Sequence, residues 1–544
     1  MRGLVVLIML LVAFLPPLHA AEVVIAAVPF QSSQPCTGTF VEHPLPFTTT
    51  TSRRPIRFYE SNGAGLAVND LDDDGLLDLV MSNLHGRNTI LWNDGNLRFT
   101  PQPLADGRSR AAAVVDVDGD NLLDILFTHS TSSLSYWRNE GITAAKRASF
   151  SMQPLRGVRR PAYVLTWADV NRDGLLDLIT ASYDSELGRE LGNTFLFSDG
   201  AGVFYYQQSP DGSFTPTRLA EQSQALAIWI SDLNHNGLLD LFIGNDFTFP
   251  DQYWSFTAGA WQPVEFFSQT TLSTMSFDAA DIDNDGSTEF FAADMQPYSD
   301  DPTIRAIWQP VLDQLGNSPR LPGDLQIIRN LLQQSEPTGY RDRAQDYGIA
   351  ATGWSWSSKF GDLNNDGWLD LYVVNGMIAA DLFRQLPDAA LVETNLAFMN
   401  QQGERFFPMP EWNLGSLASG RGMSMADLDS DGDLDIIINN LAAPAQLYEN
   451  QLCGGHALQV DLRWPTSPNT RAIGAVLTLH TPQITYTRDV RAMSGYLSGD
   501  PSRIHFGFPA ETPLQKLTVR WPDGLISTIE QPAAQNRLTI TRSN

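Results

Sequence analysis

Short apolar runs recur along the chain, each opening on an acidic residue: Asp78-Leu-Val80, Asp124-Ile-Leu-Phe127, Asp240-Leu-Phe-Ile243, Asp370-Leu-Tyr-Val-Val374 and Asp435-Ile-Ile-Ile438. They are too short for helices and rich in β-formers, so each predicts a strand. Turn-bounded segments follow them. Thr89-Ile-Leu-Trp92 precedes Asn93-Asp94-Gly95, Thr194-Phe-Leu-Phe197 precedes Ser198-Asp199-Gly200, and Leu396-Ala-Phe-Met399 precedes Asn400-Gln-Gln-Gly403. Asn-Gly and Asp-Gly steps between apolar runs signal hairpins. The repeating unit is therefore about four strands.

What precedes each run is also periodic. The pattern D-x-[DN]-x-[DN]-G-x-x-[DE] occurs at Asp70, Asp72, Asp74, Asp78, at Asp116, Asp118, Asp120, Asp124, and at Asp169, Asn171, Asp173, Asp177. It recurs at Asp232, Asn234, Asn236, Asp240, at Asp281, Asp283, Asp285, Glu289, at Asp362, Asn364, Asp366, Asp370, and at Asp427, Asp429, Asp431, Asp435. Asn121 replaces the glycine of the second loop. Seven four-stranded units imply an all-β fold, a seven-bladed β-propeller. The long interval from Asp281 to Asp362 carries helical spacing at Ile304 to Leu315 and at Leu325 to Leu332, which predicts a helical insertion at about 300–335.

Oxygen ligands at alternate positions around a tight turn suit a hard cation, and Ca²⁺, which takes about 6 to 8 oxygens, fits better than Mg²⁺. An EF-hand would need Glu at position twelve, where these loops carry Met81, Phe127, Thr180, Ile243, Ala292, Val373 and Ile438. Up to seven Ca²⁺ ions are expected, one per loop. Lys plus Arg number 35 against 62 Asp plus Glu, a net charge of −27. The loops hold twenty-four carboxylates, so nearly all of the surplus is ligand, and metal binding should be coupled to folding. Such a charge disfavours nucleic acid as a partner.

The N-terminus, Met1-Arg2 followed by an apolar run from Leu4 to Leu15 and by Pro16 to Ala20, reads as a secretory signal cleaved near Ala20. The run falls short of the roughly 20 residues that span a bilayer, so no stable membrane span is expected after cleavage. The protein is then secreted, periplasmic or on the cell surface, where a disulfide persists. Its two cysteines are Cys36 and Cys453.

Residues 456–544 alternate apolar and polar positions in short stretches separated by Pro/Gly turns, as a small β-sandwich does. Tyr496, His505 and Trp521 either line a carbohydrate or peptide site there or support its core and turns. Arg471-Ala-Ile-Gly-Ala475, Ser494-Gly-Tyr-Leu-Ser498, His505-Phe-Gly507 and Val519-Arg-Trp-Pro-Asp-Gly524 resemble the ASPIC/UnbV pattern. The acidic repeats resemble the FG-GAP or VCBS repeats of integrin α-chain heads. The layout is similar to the cartilage acidic protein family, which joins such a propeller to a C-terminal ASPIC/UnbV domain, and the resemblance spans roughly residues 55–544. Gly499-Asp500 departs from the Gln or Ser often found there.

The resulting organisation is a signal peptide at 1–20, an N-terminal segment at 21–55 completing the last blade, a seven-bladed propeller with integrin-type Ca²⁺ loops at 56–452, and the C-terminal β domain at 453–544. The basis for the closure is internal: Cys36-Thr-Gly-Thr-Phe40 to Leu45 resembles Asn96-Leu-Arg-Phe99 to Leu104, whereas the seventh unit runs out of strands near Leu447-Tyr-Glu-Asn450. That closure would bring Cys36 beside Cys453 as a disulfide clasp.

No catalytic residue is assigned. HExxH, G-x-S-x-G and P-loop motifs do not occur, only three lysines are present, and carboxylates neutralised by Ca²⁺ make poor acids or bases. Trp354 to Ser358 and Arg421 to Met425 read as inner strands. The expected role is a calcium-binding scaffold for adhesion or for binding an extracellular protein or glycan. The alternative is an extracellular enzyme cleaving polysaccharide or phosphoester in the propeller channel.

Overall fold

The computed structural model describes residues 21–31, 35–52, 54–196, 200–319, 323–337 and 339–543. The signal peptide expected at 1–20 lies outside them. Among the described residues, seven sheets follow one another along the chain, each built on four antiparallel strands in meander order, the fourth strand of the seventh coming from the N-terminal segment. The first is Leu66–Asn69, Asp78–Met81, Arg87–Asn93 and Phe99–Asp106. The first strands of the seven sheets meet in cyclic order, and that of the seventh, Gly420–Ala426, returns to Leu66–Asn69. They are packed on both faces, which explains uninterrupted small or apolar runs such as Ala111-Ala112-Ala113-Val114-Val115, buried throughout. Outer strands alternate, as Phe40–Thr48 does.

Phe40–Thr48 is the fourth strand of the seventh sheet, pairing antiparallel with Pro444–Asn450 from Phe40 opposite Asn450 to Thr48 opposite Pro444. Cys36 and Cys453 are bonded to each other beside this junction. The N-terminal segment nevertheless divides. Val23–Pro29 serves a different sheet, pairing with Asn536–Arg542 alongside His456–Arg463 and Arg503–Phe508, so the expectation that all of 21–55 completes the last blade is corrected. A second sheet of Val476–His480, Thr485–Asp489, Lys516–Arg520 and Ile526–Glu530 completes the C-terminal sandwich.

Two local expectations also change. The insertion is one helix, Pro302–Gly316, started by Asp301, whose carboxylate accepts the Thr303 N–H at 2.7 Å, and anchored by buried Trp308 and Val311. Leu325 to Leu332 is not helical. Leu331–Glu336 supplies the third strand of the fifth sheet, against Phe290 to Ala292, and Gln326–Ile327 pairs with Thr270–Thr271. Its apolar spacing serves two strands on different sheets. Thr194 to Leu196 is helical as well, within Asn193–Leu196 after the helix Asp184–Leu191, because Val203–Gln208 fills the strand position; Phe197 lies outside the described residues.

The ring is not hollow. A hairpin of the sandwich, Met493–Ser494 paired with Ser498–Gly499, enters the axis and joins Leu66–Asn69 in parallel. Gly495 N–H donates to Phe277 O and Tyr496 N–H to Ser357 Oγ, while Ala112 N–H reaches Leu497 O and Met423 N–H reaches Ser498 Oγ. A Cβ on Gly65 would overlap the Leu497 carbonyl, which is how closely the plug fits. Tyr496 and Trp521 are fully buried, so they are core rather than an exposed binding surface. The Tyr496 hydroxyl donates to Asn62 O at 2.8 Å. Tyr496→Phe is expected to cost about 1–2 kcal/mol by leaving that carbonyl unpaired, read as a lower urea midpoint at unchanged slope.

Candidate metal centres

Each acidic loop bridges the first and second strands of its sheet, and all seven share one hydrogen-bonded frame. The first carboxylate winds the loop around itself. Asp70 accepts the Asp74 N–H at 3.1 Å and the Gly75 N–H at 2.9 Å. Asp116, Asp169, Asp232, Asp362 and Asp427 do the same in their loops, and Asp281 accepts from Gly286. The fifth residue (Asp74, Asp120, Asp173, Asn236, Asp285, Asp366 or Asp431) accepts the N–H two residues on. The sixth lies in the left-handed region, with φ of 93° at Gly75 and 73° at Asn121, a conformation asparagine tolerates.

The ninth carboxylate ties the loop to its sheet. Asp78 accepts the N–H of Leu71 at 3.2 Å and of Asn93 at 2.9 Å, a pair repeated at Asp124, Asp177, Asp370 and Asp435. Glu289 keeps only the bond from Ile282, and Asp240 accepts from the Ser255 hydroxyl.

The donor set fits a hard cation. Carboxylate oxygens converge within 4.8 Å of one another in Asp70/Asp72/Asp78, Asp116/Asp118/Asp124, Asp281/Asp283/Asp285 and Asp427/Asp429/Asp435. In the other three loops Asn171, Asn234 and Asn364 take the third position within the same frame. Asp72 Oδ1, Asp240 Oδ2, Asp281 Oδ1 and Glu289 Oε1 are buried without a hydrogen-bond partner among the described residues, a costly state for a charged oxygen unless a cation meets it. Burial, then the neighbouring carboxylates, pushes Glu289 up to about 9 and Asp429 up to about 8. Burial raises Asp124 to about 8, and Asp70 and Asp116 to about 6. A bound cation would supply the charge neutralisation these groups need. Two arginines already supply part of it at the rim: Arg138 reaches Asp118 and Asp120, both at 2.6 Å, and Arg147 reaches Asp72 at 3.2 Å.

Sequence reading missed a second recurring feature. An amide on the third strand links each of several loops to the loop of the preceding sheet: Asn93 donates to Leu428 O, Asn139 to Leu71 O, Gln208 to Val117 O, Asn400 to Ile282 O and Asn450 to Leu363 O. The signal was available where the amide follows the ninth carboxylate by 15 residues, as Asn93, Asn139 and Asn450 do. Also unforeseen is a charged group at the axis. Lys359 donates to Asp500 and Ser494, and Arg491 pairs with Asp278 at 2.9 Å, on the wall of a cavity of about 330 Å³ beneath the sandwich.

Residues 70–127 and 116–180 match the family described as FG-GAP-like repeat, and residues 465–544 match the family described as ASPIC and UnbV. The chain carries FG-GAP-like repeats and a C-terminal ASPIC/UnbV domain. Repeats of this kind imply a propeller, which agrees with the ring of sheets, and are typical of extracellular proteins. No curated protein matches the chain. Among solved structures, one titled "Crystal structure of BBS1N in complex with ARL6DN, soaked with mercury" is 8% identical, covering 76% of this chain and 96% of that one with a TM-score of 0.40, a likeness too slight to bear on fold or function. No described helix is long and apolar enough to cross a membrane.

The sandwich containing the ASPIC/UnbV domain docks on the loop face of the FG-GAP ring and touches the candidate ligands themselves. Gln459 donates to Asp427 Oδ2 at 2.7 Å and Thr470 to Asp116 Oδ2 at 2.6 Å. Arg503 and Arg537 both donate to Gly75 O, and Arg463 pairs with Asp73 at 3.1 Å. His505, held neutral by burial that lowers it to about 4, bonds Gly432 O at 3.0 Å. It docks the sandwich on the seventh loop and also lines the cavity beneath it.

Proposed function

We propose that the protein is a secreted or cell-surface scaffold, built around calcium, that binds or adheres to an extracellular protein or glycan. The observation that carries this reading is the seven-fold repetition of one oxygen-lined turn, three copies of which hold buried carboxylate oxygens without a partner among the described residues. Such turns hold blades together rather than present a reacting group. The ASPIC/UnbV hairpin fills the axis where an enzyme of this shape would bind substrate; beside it Lys359 pairs with Asp500 and Arg491 with Asp278, and Arg421 donates to the carbonyls of Ser61, Gly376 and Gly420. This leaves the outer edges and the face opposite the loops for a partner.

Metal analysis of the purified protein, together with binding to arrays of glycans and matrix proteins in calcium and in EGTA, tests the proposal. Several ions per chain, approaching seven, with partner binding that is lost in EGTA and regained with calcium, is the expected result. One ion or fewer, or a channel-dependent turnover of polysaccharide or phosphoester, overturns it.

A further inference from the structure

The outer strands of the third and fourth sheets frame a cleft of about 830 Å³, within the size range of small-ligand sites. Its rim is exposed at Thr217, Gly259, Ala260 and Pro263, so it opens to solvent. Three kinds of chemistry meet on its wall.

The first is aromatic. Phe256 stands opposite Trp261 across the hairpin of Gln252–Thr257 and Ala260–Pro263, with ring centres 5.2 Å apart, and Tyr205 of the third sheet packs 6.1 Å from Trp261. The second is unmet hydrogen bonding. Trp261 is only 8% exposed, and its indole N–H has no partner among the described residues; Gln252 Oε1 is likewise buried and unpartnered. Each such group costs about 1–3 kcal/mol unless a donor or acceptor arrives. The third is charge. Among the described residues, the carboxyl and guanidinium groups lining the cleft are those of Asp251, Glu265, Asp324 and Arg218, and the Arg218 guanidinium already donates to Ala201 O and Glu221 O. An anion is unwelcome here.

A fitting ligand presents C–H faces to aromatic rings, offers an acceptor to Trp261 and a donor to Gln252, and carries no negative charge. We infer that the cleft binds a neutral oligosaccharide, whose pyranose rings supply such faces and whose hydroxyls both donate and accept. This rests on the reading of the protein as an extracellular binding scaffold and names its ligand class.

Calorimetric titration of the calcium-loaded protein with cellotriose, maltotriose, laminaritriose, xylotriose, mannotriose and N-acetylchitotriose tests it, with trigalacturonate and a trilysine peptide as charged counterparts. At least one neutral trisaccharide is expected to bind. Trp261→Phe, which keeps an aromatic ring but removes the N–H with the five-membered ring that carries it, and Gln252→Ala, on a less buried side chain, should each weaken binding at least roughly threefold, the loss of one neutral hydrogen bond. The melting temperature of both variants should stay close to the parent's. Heat from none of the neutral sugars, binding of trigalacturonate or trilysine alone, or affinity unchanged in both variants overturns the assignment. Should the neutral sugars fail while calcium-dependent capture of a matrix protein persists, the cleft assignment falls and the scaffold reading stands; loss of both removes the two together.

Discussion

Stripping calcium from the protein with excess EGTA is expected to lower its melting temperature by on the order of 15 °C, since each site held at a hundredfold its Kd adds about 2.7 kcal/mol and a chain of this size shifts by roughly 1 °C per kcal/mol. The physical reason is local. Without metal, the loop carboxylates face one another in half-buried turns, and the ASPIC/UnbV domain rests directly on them through Gln459 and Thr470. The effect should depend on pH in a defined direction. Asp70 and Asp116 are raised to about 6, Asp124 and Asp429 to about 8 and Glu289 to about 9. Carboxyls raised in the folded state contribute stability that is fully present below their unfolded pKa of about 4 and is lost as pH rises through the folded values. The protein stripped of calcium at pH 8 and exchanged into metal-free buffer should therefore melt higher at pH 5.5 than at pH 8.5. With calcium present the trend should flatten or reverse, because the ion displaces those protons. Differential scanning calorimetry at the two pH values, with and without chelator, reads both effects; a chelator shift of under about 3 °C would contradict the metal-built ring.

The loops were legible because a nine-residue motif with a glycine turn leaves its mark without reference to the rest of the chain. So were the strands that follow them, being buried on both faces. What escaped depends on distance in sequence. Val23–Pro29 looks like any apolar strand, and only its partner at Asn536–Arg542 shows which sheet it joins. Ser494 to Ser498 carries a family motif, yet nothing in its residues says that it threads the axis and meets Phe277, Ser357 and Met423 from three different sheets. The linking amides were obscured by insertions: Gln208 and Asn400 follow their ninth carboxylates by 31 and 30 residues rather than 15. Leu325 to Leu332 misled because apolar positions three and four apart also arise when two short strands on different sheets abut. In each case the deciding term is a tertiary contact that overrides local propensity.

Replacing both cysteines, as Cys36→Ser with Cys453→Ser, is expected to destabilise the calcium-loaded protein by on the order of 5 kcal/mol in the chain-entropy account. The bond spans 417 residues, so it removes far more freedom from the unfolded chain than a local bridge does. It also guards a particular weakness. The seventh sheet is closed by a strand from the opposite end of the chain, and Phe40–Thr48 is held by its ladder to Pro444–Asn450 and by Thr37 and Gly38 N–H groups donating to Gln451 O. Freed of the clasp, that strand can leave while the other sheets stay folded, uncovering Leu45 and Phe47 and the edge of Pro444–Asn450. The double variant should show a lower guanidinium midpoint, and its amides at 40–48 and 444–450 should exchange faster than those of the second and third sheets. An unchanged midpoint with uniform exchange would mean that strand pairing alone closes the ring, and that the disulfide adds nothing to the equilibrium stability of the folded chain.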